Sequence, residues 1–270
     1  MSGMLEITIL GCGSSGGVPR PDGEWGACDP NDPRNRRSRC SMLARRLPDG
    51  DGEATTVLID TSPDLQRQTS AAELKRIDAV LFTHDHADQT HGIDDLRAFV
   101  IRARRRVSCH MDAATHATLT RRFAYIFRGE GAYPAICEDH LIPEHGVDWT
   151  VDGPSGAIPI TTFDQDHGLG VRSVGYRLGP VAYSSDVAEL SEEAFDALKG
   201  VKVWIVDALR YTPHPTHSHL ERTLGWAERL GAERTILTNM HIDLDFATLA
   251  AQLPAGVEPA VDGLRFTVPL

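Results

Sequence analysis

The sequence predicts an α/β fold organised as one domain, and three observations carry that expectation. Apolar runs at 77–82, 201–206 and 234–238 read as strands buried on both faces, the pattern of parallel sheets packed between other layers. Helix-spaced segments follow the first two, at 93–99 and 220–230. A chain of 270 residues can bury one large core or two small ones, and no linker divides this one.

The elements follow in order. An opening strand at 4–10 runs into a turn, Gly11-Cys12-Gly13-Ser14-Ser15-Gly16-Gly17-Val18-Pro19, whose small residues permit tight turning or close backbone approach to a phosphate. A polar loop rich in Pro, Asp and Arg occupies about 19–40. Strands at 41–46 and 56–61 pair, and a helix over 63–74 starts with Ser62 as its cap and Pro63 at its first position. After the strand at 77–82, the arginines of 102–106 read as a solvated face. A strand at 107–111 follows, then a helix from the cap Asp112 to about Phe127. The segment 129–156 has no strong period and reads mostly as loop. A strand at 158–164 leads to a hairpin of 171–178 and 181–183 around Gly179-Pro180. Ser191 caps a helix over 192–198, and Thr216 or Ser218 caps the helix over 220–230.

Composition narrows the partners. With 27 basic and 38 acidic residues the net charge is −11, which disfavours non-specific nucleic-acid or membrane binding. A small anionic substrate is still compatible, because a local metal and a few arginines outweigh a distant net charge. The five cysteines, Cys12, Cys28, Cys40, Cys109 and Cys137, are odd in number and widely spaced, so no disulfide framework is expected. No signal-like opening and no membrane-length apolar run is present, so the expected compartment is the cytoplasm. The sequence leaves a homodimer open.

The chemistry concentrates at Thr83-His84-Asp85-His86-Ala87-Asp88-Gln89-Thr90-His91-Gly92, between a buried strand and a helix. His84 and His86 alternate across a tight turn and Asp88 adds an oxygen donor at a strand's carboxyl end, where open α/β sheets bind ligands. Imidazole nitrogen with carboxylate oxygen suits zinc, manganese or iron. This segment resembles the His-x-His-x-Asp-His signature of the metallo-β-lactamase superfamily, with Gln89 where the last His usually stands. The resemblance implies a four-layer αββα sandwich with one or two divalent ions, zinc or manganese, along one edge. The turn at 11–19 and the segment Pro213-His214-Pro215-Thr216-His217 resemble the PhnP-like phosphodiesterase branch, which opens cyclic ribose phosphates.

From that resemblance the remaining site residues follow as expectations. His167, in a His-Gly pair after a strand, is a metal ligand, and Asp186 resembles the bridging Asp, although with Glu189 it could also form a capping box. His217 matches the His implicated in proton transfer. Arg210, His214 and His219 on the same loop are assigned to substrate binding, and Asp88 to catalysis as well as metal binding. Where the branch carries a further metal-binding His, this chain has Asn239. Either His241 takes over that role, the reading favoured here, or the second site is weak or empty. Some branch members hold a structural zinc through cysteines of the early loop. Their Cys-x-Cys pairs are missing here, which leaves Cys28 and Cys40 as an open question. The expected activity is metal-dependent hydrolysis of a small cyclic ribose phosphate or nucleotide-like phosphodiester. A metal-activated water would attack phosphorus and His217 would protonate the leaving alkoxide. The competing expectations are a tRNA 3′-processing nuclease, and a nucleotide binder or carrier that lost one metal and does no chemistry.

Overall fold

A computed structural model describes residues 3–270, and in it the first strands bury both of their faces. Along β1 (Met4–Gly11), Leu5, Ile7 and Ile9 enter one apolar cluster while Leu10 enters another. Strand β2 (Ser41–Arg46) divides Met42 and Ala44 from Leu43 in the same way. In β3 (Thr55–Ile59) Val57 and Ile59 part from Leu58, and in β4 (Ala79–Leu81) Ala79 and Leu81 part from Val80. A period of two with apolar residues on both sides forces a sheet to be covered on both faces.

The other strands are β5 (Val107–Met111), β6 (Cys137–Leu141), β7 (Asp148–Val151), β8 (Ile158–Asp166), β9 (Arg172–Leu178), β10 (Val181–Ser184), β11 (Val203–Asp207), β12 (Arg234–Thr238), β13 (Val257–Pro259) and β14 (Arg265–Pro269). They form two sheets, ordered β14-β1-β2-β3-β4-β5-β6 and β13-β12-β11-β10-β9-β8-β7. In each sheet one end is antiparallel and the other, β3 to β6 or β10 to β13, is parallel. One apolar cluster fills the space between the sheets and continues around the second sheet to its outer helices, with Trp204, Tyr176 and Tyr183 as its largest fully buried members.

Helices cover the outer faces. Over the first sheet lie α1 (Leu65–Ala71), the short α2 (Ala87–Thr90), α3 (Leu96–Ala103), α4 (Ala113–Arg122) and α5 (Ala124–Arg128). Of these, Leu65, Leu96, Leu119 and Ile126 join the outer cluster. Over the second sheet lie α6 (Glu192–Leu198), α7 (Leu220–Leu230) and α8 (Phe246–Ala250), through Leu198, Leu220 and Leu249. The result is the expected four-layer αββα sandwich. No described helix is long and apolar enough to cross a membrane.

Local differences from expectation have local reasons. The helix expected over 63–74 spans only Leu65–Ala71, behind Asp64; Ser62 sits in the preceding turn, where its Oγ accepts from Asp64 N–H (3.2 Å) and donates to Gln68 Oε1 (2.9 Å). The helix after Asp112 is capped as expected, through Thr115 N–H (2.8 Å), but breaks at Phe123, where φ is −116° and ψ 42°. Neither Thr216 nor Ser218 caps α7. His219 holds that position, and Ser218 Oγ is 2.7 Å from Thr223 Oγ1. The segment 129–156 contains β6 and β7, the outermost strands of the two sheets. Their polar residues, among them Glu138, Asp139 and Asp148, suit edge strands and hide the alternation that would reveal a strand. In the glycine-rich turn, a Cβ on Gly11 would lie 2.1 Å from the Arg39 carbonyl oxygen, so close backbone packing accounts for that glycine.

Candidate metal centre

Strand ends from both sheets meet at one rim. The first sheet supplies Asp60 after β3 and residues 83–89 after β4. The second supplies His167 after β8, Asp186 after β10, Asp207 at the end of β11, His217 in the following loop, and Asn239 after β12. Two bonds clasp the sheets beside this rim. Tyr176 Oη donates to the Phe82 carbonyl (2.7 Å), and Val174 N–H donates to the Thr83 carbonyl (2.8 Å).

Nitrogen atoms of His84, His86 and His167, one from each ring, lie within 4.8 Å of one another. His167, Asp186 and His217 make a second group of the same kind, sharing His167. Backing groups decide which atom of each ring is free. The buried Asp60 carboxylate accepts from the backbone N–H and the hydroxyl of Thr83, each at 2.8 Å, and Thr83 Oγ1 is 3.0 Å from His84 Nδ1. With the hydroxyl proton given to Asp60, the Thr83 oxygen accepts from His84 Nδ1–H, so Nε2 carries the lone pair. That Nε2 is buried and has no hydrogen-bond partner. His167 Nδ1 lies 2.7 Å from the Thr216 carbonyl, and its Nε2 turns toward His86 Nδ1 at 3.3 Å. Gly168 allows this approach: its φ is +78°, and a Cβ there would lie 2.1 Å from the Pro215 carbonyl oxygen.

The buried, unpartnered lone pair of His84, converging with nitrogens of the buried His167 and the exposed His86, fits a borderline divalent cation. The electrostatics agree. Burial, against the pull of Asp186, pushes His84 down to about 3, and burial also lowers His167, so both rings stay in the neutral, ligating form. Burial opposes ionisation of Asp186, but His84, His217 and His167 together hold it below the usual carboxylate range. Burial and then Asp186 raise Asp88 to about 6. For His217 burial disfavours the charge, yet Asp207 at 2.8 Å, helped by Asp186 and Asp88, raises it to about 9.

The comparisons with known proteins settle the kinship. Residues 55–242 match the family described as the beta-lactamase superfamily domain. The chain is 33% identical to a solved diphosphatase of the PhnP family, with a TM-score of 0.88, covering 100% of this chain and 99% of that one. The chain belongs to the PhnP family of the β-lactamase superfamily. It is thus a metal-dependent hydrolase by kinship. Zn(2+)-bound PqqB from Methylobacterium extorquens (17% identical, TM-score 0.74, 97% and 99% covered) shares the fold. So does the short form of human tRNase Z (14% identical, TM-score 0.67, 98% and 100% covered). A curated octanoyltransferase of Porphyromonas gingivalis (strain ATCC BAA-308 / W83) is 29% identical over 97% of this chain, which spans about half of that protein's length (51%).

In this PhnP-family chain the other expected residues lie as follows. Asp88 sits beside the cluster, its Oδ2 3.3 Å from Gln89 Nε2, outside both groups of convergent donors. His241 is not brought into either group. Its Nδ1 lies 3.1 Å from an Asp243 carboxylate oxygen and its Nε2 contacts the Arg20 guanidinium, which arrives from the polar loop. The expectation that His241 replaces the missing ligand is therefore not met, because a cation from another segment holds its ring. His214 is next to His217, with ring centroids 5.2 Å apart, and its Nδ1 is 3.1 Å from Thr216 Oγ1. Arg210 spends its guanidinium on the carbonyls of Thr212 (3.1 Å) and Pro213 (2.8 Å), bracing its own loop. His219 occupies the N-cap position of α7 with no side-chain capping bond. Cys28 and Cys40 are buried and face different partners, Cys28 the Ile242 carbonyl (3.4 Å) and Cys40 the Thr238 hydroxyl (3.4 Å). Among the described residues neither joins a metal-ligating group of three.

Asp60, Thr83 and Asp207 are site residues that the sequence reading assigned no role. Asp60 and Asp207 each close an apolar strand with a carboxylate, a signal shared with ordinary helix caps and loop starts.

Proposed function

We propose that this chain hydrolyses a small phosphodiester, a cyclic ribose phosphate or a nucleotide-like ester, with a divalent cation, zinc or manganese. His84, His86 and His167 would hold the cation, with Asp186 as the oxygen donor beside them. The observation that carries the reading is the unpartnered, buried Nε2 of His84, held in its tautomer by Thr83 and Asp60 and converging with two other imidazoles. When bound, such a cation makes a water nucleophilic near neutral pH and offsets the negative charge that builds on a phosphoryl group.

The chain's own residues supply the rest. Asp207 accepts from His217 Nδ1–H, which fixes that ring and leaves Nε2 as the donor atom for a substrate oxygen. The His217 ring centroid lies 4.8 Å from that of His167, so the proton donor and the metal-binding rings address the same small space. The stiff loop of Pro213 and Pro215 holds His214 beside it, where an imidazole can orient a non-bridging oxygen or a ribose hydroxyl. His86 is exposed while His84 and His167 are buried, so the centre opens to solvent and admits a small molecule from one side.

The test is turnover of 2′,3′-cyclic AMP and bis(p-nitrophenyl) phosphate by protein loaded with manganese or zinc, following release of the phosphomonoester. Hydrolysis of both is expected. Nucleotide binding without turnover by metal-loaded protein would point instead to a carrier.

A further inference from the structure

We propose that this centre holds one divalent cation rather than two, and that the side-chain amides of Gln89 and Asn239 stand where a second cation would need its ligands. The inference rests on the function proposed above and specifies it. Gln89 is fully buried, with its Nε2 3.1 Å from Asp186 Oδ2 and 3.3 Å from Asp88 Oδ2. Two carboxylates fix which end of the amide faces them, because an amide oxygen in that place would oppose two acceptors. Its N–H groups therefore point at the oxygens that a cation between Asp88 and Asp186 would draw on. An amide nitrogen has no lone pair to offer a metal, whereas zinc-type sites are built from imidazole, thiolate and carboxylate.

Asn239 lies beside His217, whose Nδ1 is 4.0 Å from Asp186 Oδ1. It is buried, its φ is +59°, a backbone state in which Asn is enriched, and its Nδ2 lies 3.2 Å from His217 Nδ1. The nearest imidazole in sequence, His241, turns its Nε2 to the Arg20 guanidinium. The group of His167, Asp186 and His217 does not make an additional site. It shares His167 with the first, and His217 Nδ1 is committed to Asp207 at 2.8 Å. Asp186 thus divides its carboxylate, Oδ1 lying 3.9 Å from His167 Nε2 and Oδ2 facing the Gln89 amide. The Gln89 amide stabilises the pair of carboxylates as a neutral donor in place of a second positive ion.

Elemental analysis of dialysed, zinc-loaded or manganese-loaded protein tests this. Wild type is expected to bind one equivalent per chain, and Gln89→His combined with Asn239→His to bind two. Gln89→Glu, nearly isosteric, covers the case in which two new imidazoles cannot be packed, and should raise the count above one. Two equivalents on the wild type overturn the inference but leave the proposed function intact. Folded variants that stay at one equivalent also overturn it, since the amides would not be what excludes the second ion. No ion on the wild type under any loading contradicts the proposed function itself.

Discussion

The carboxylate of Asp207 and the imidazole of His217 meet at 2.8 Å, Oδ2 to Nδ1, and Asp207 is fully buried at the end of β11. A second bond, from Val187 N–H at 3.1 Å to the same oxygen, keeps the carboxylate in place. The pair sets both the tautomer and the orientation of the ring. Asp207→Asn should therefore act through His217 without touching a metal-binding ring. Turnover is expected to fall roughly 100-fold on substrates with poor, alkoxide leaving groups and far less on p-nitrophenyl esters. A comparison of kcat for 2′,3′-cyclic AMP and bis(p-nitrophenyl) phosphate checks it, and equal losses on both would assign the pair to binding or folding.

Thr83 links Asp60 to His84 without being able to reach a cation itself. Thr83→Val keeps the shape and removes the hydroxyl, so His84 Nδ1 loses its fixed partner. Metal affinity should drop about 10- to 100-fold with the fold retained, as is usual when the backing of a ligating His is lost. Competition with a chromophoric chelator measures this. Unchanged affinity would mean that packing alone orients His84.

Gly168 has no room for a side chain. Gly168→Ala places a Cβ 2.1 Å from the Pro215 carbonyl oxygen, in a backbone state unfavourable to alanine. The variant should lose roughly 1–3 kcal/mol of stability, read as a lower urea midpoint at unchanged slope. Its metal affinity should fall as well, because His167 is held by the neighbouring Thr216 carbonyl.

Away from the centre, His110 stacks on His140 (ring centroids 4.9 Å, planes 23° apart) and lies 4.8 Å from the Trp149 ring. Burial, and then the His140 charge, push His110 from 6.5 down to about 4. A depressed histidine favours the neutral form in the folded chain, so the unfolded chain binds more protons between those two values. Stability should be unaffected by this group above about pH 6.5 and should decline as pH falls toward about 4. His110→Phe should flatten part of that decline in urea titrations at several pH values. An unchanged slope would remove His110 from the account of acid sensitivity.

How much of this was legible in the sequence depends on whether partners are contiguous. His84, His86 and Asp88 share one strand-to-helix turn, so their spacing shows them at once. His167, Asp186 and His217 come from separate loops, and only likeness to a family marked them out. Asp60 and Asp207 were silent, because a carboxylate ending a strand looks the same whether it caps a helix, starts a loop or holds an imidazole. His241 misled for the converse reason. Adjacency to Asn239 suggests a substitute ligand, while Arg20, more than two hundred residues earlier, decides where that ring points. The four layers were legible as buried apolar strands, but β6 and β7 were not, since edge strands carry polar residues on faces that would otherwise alternate.

The most direct measurement of the central claim is the rate of bis(p-nitrophenyl) phosphate hydrolysis by chelator-stripped protein, titrated with manganese or zinc, beside His86→Ala under the same conditions. Stripped wild type should be silent and regain its rate in step with bound metal, and His86→Ala should neither hold the ion nor recover. Full activity in the stripped protein, or an active His86→Ala, would contradict the account.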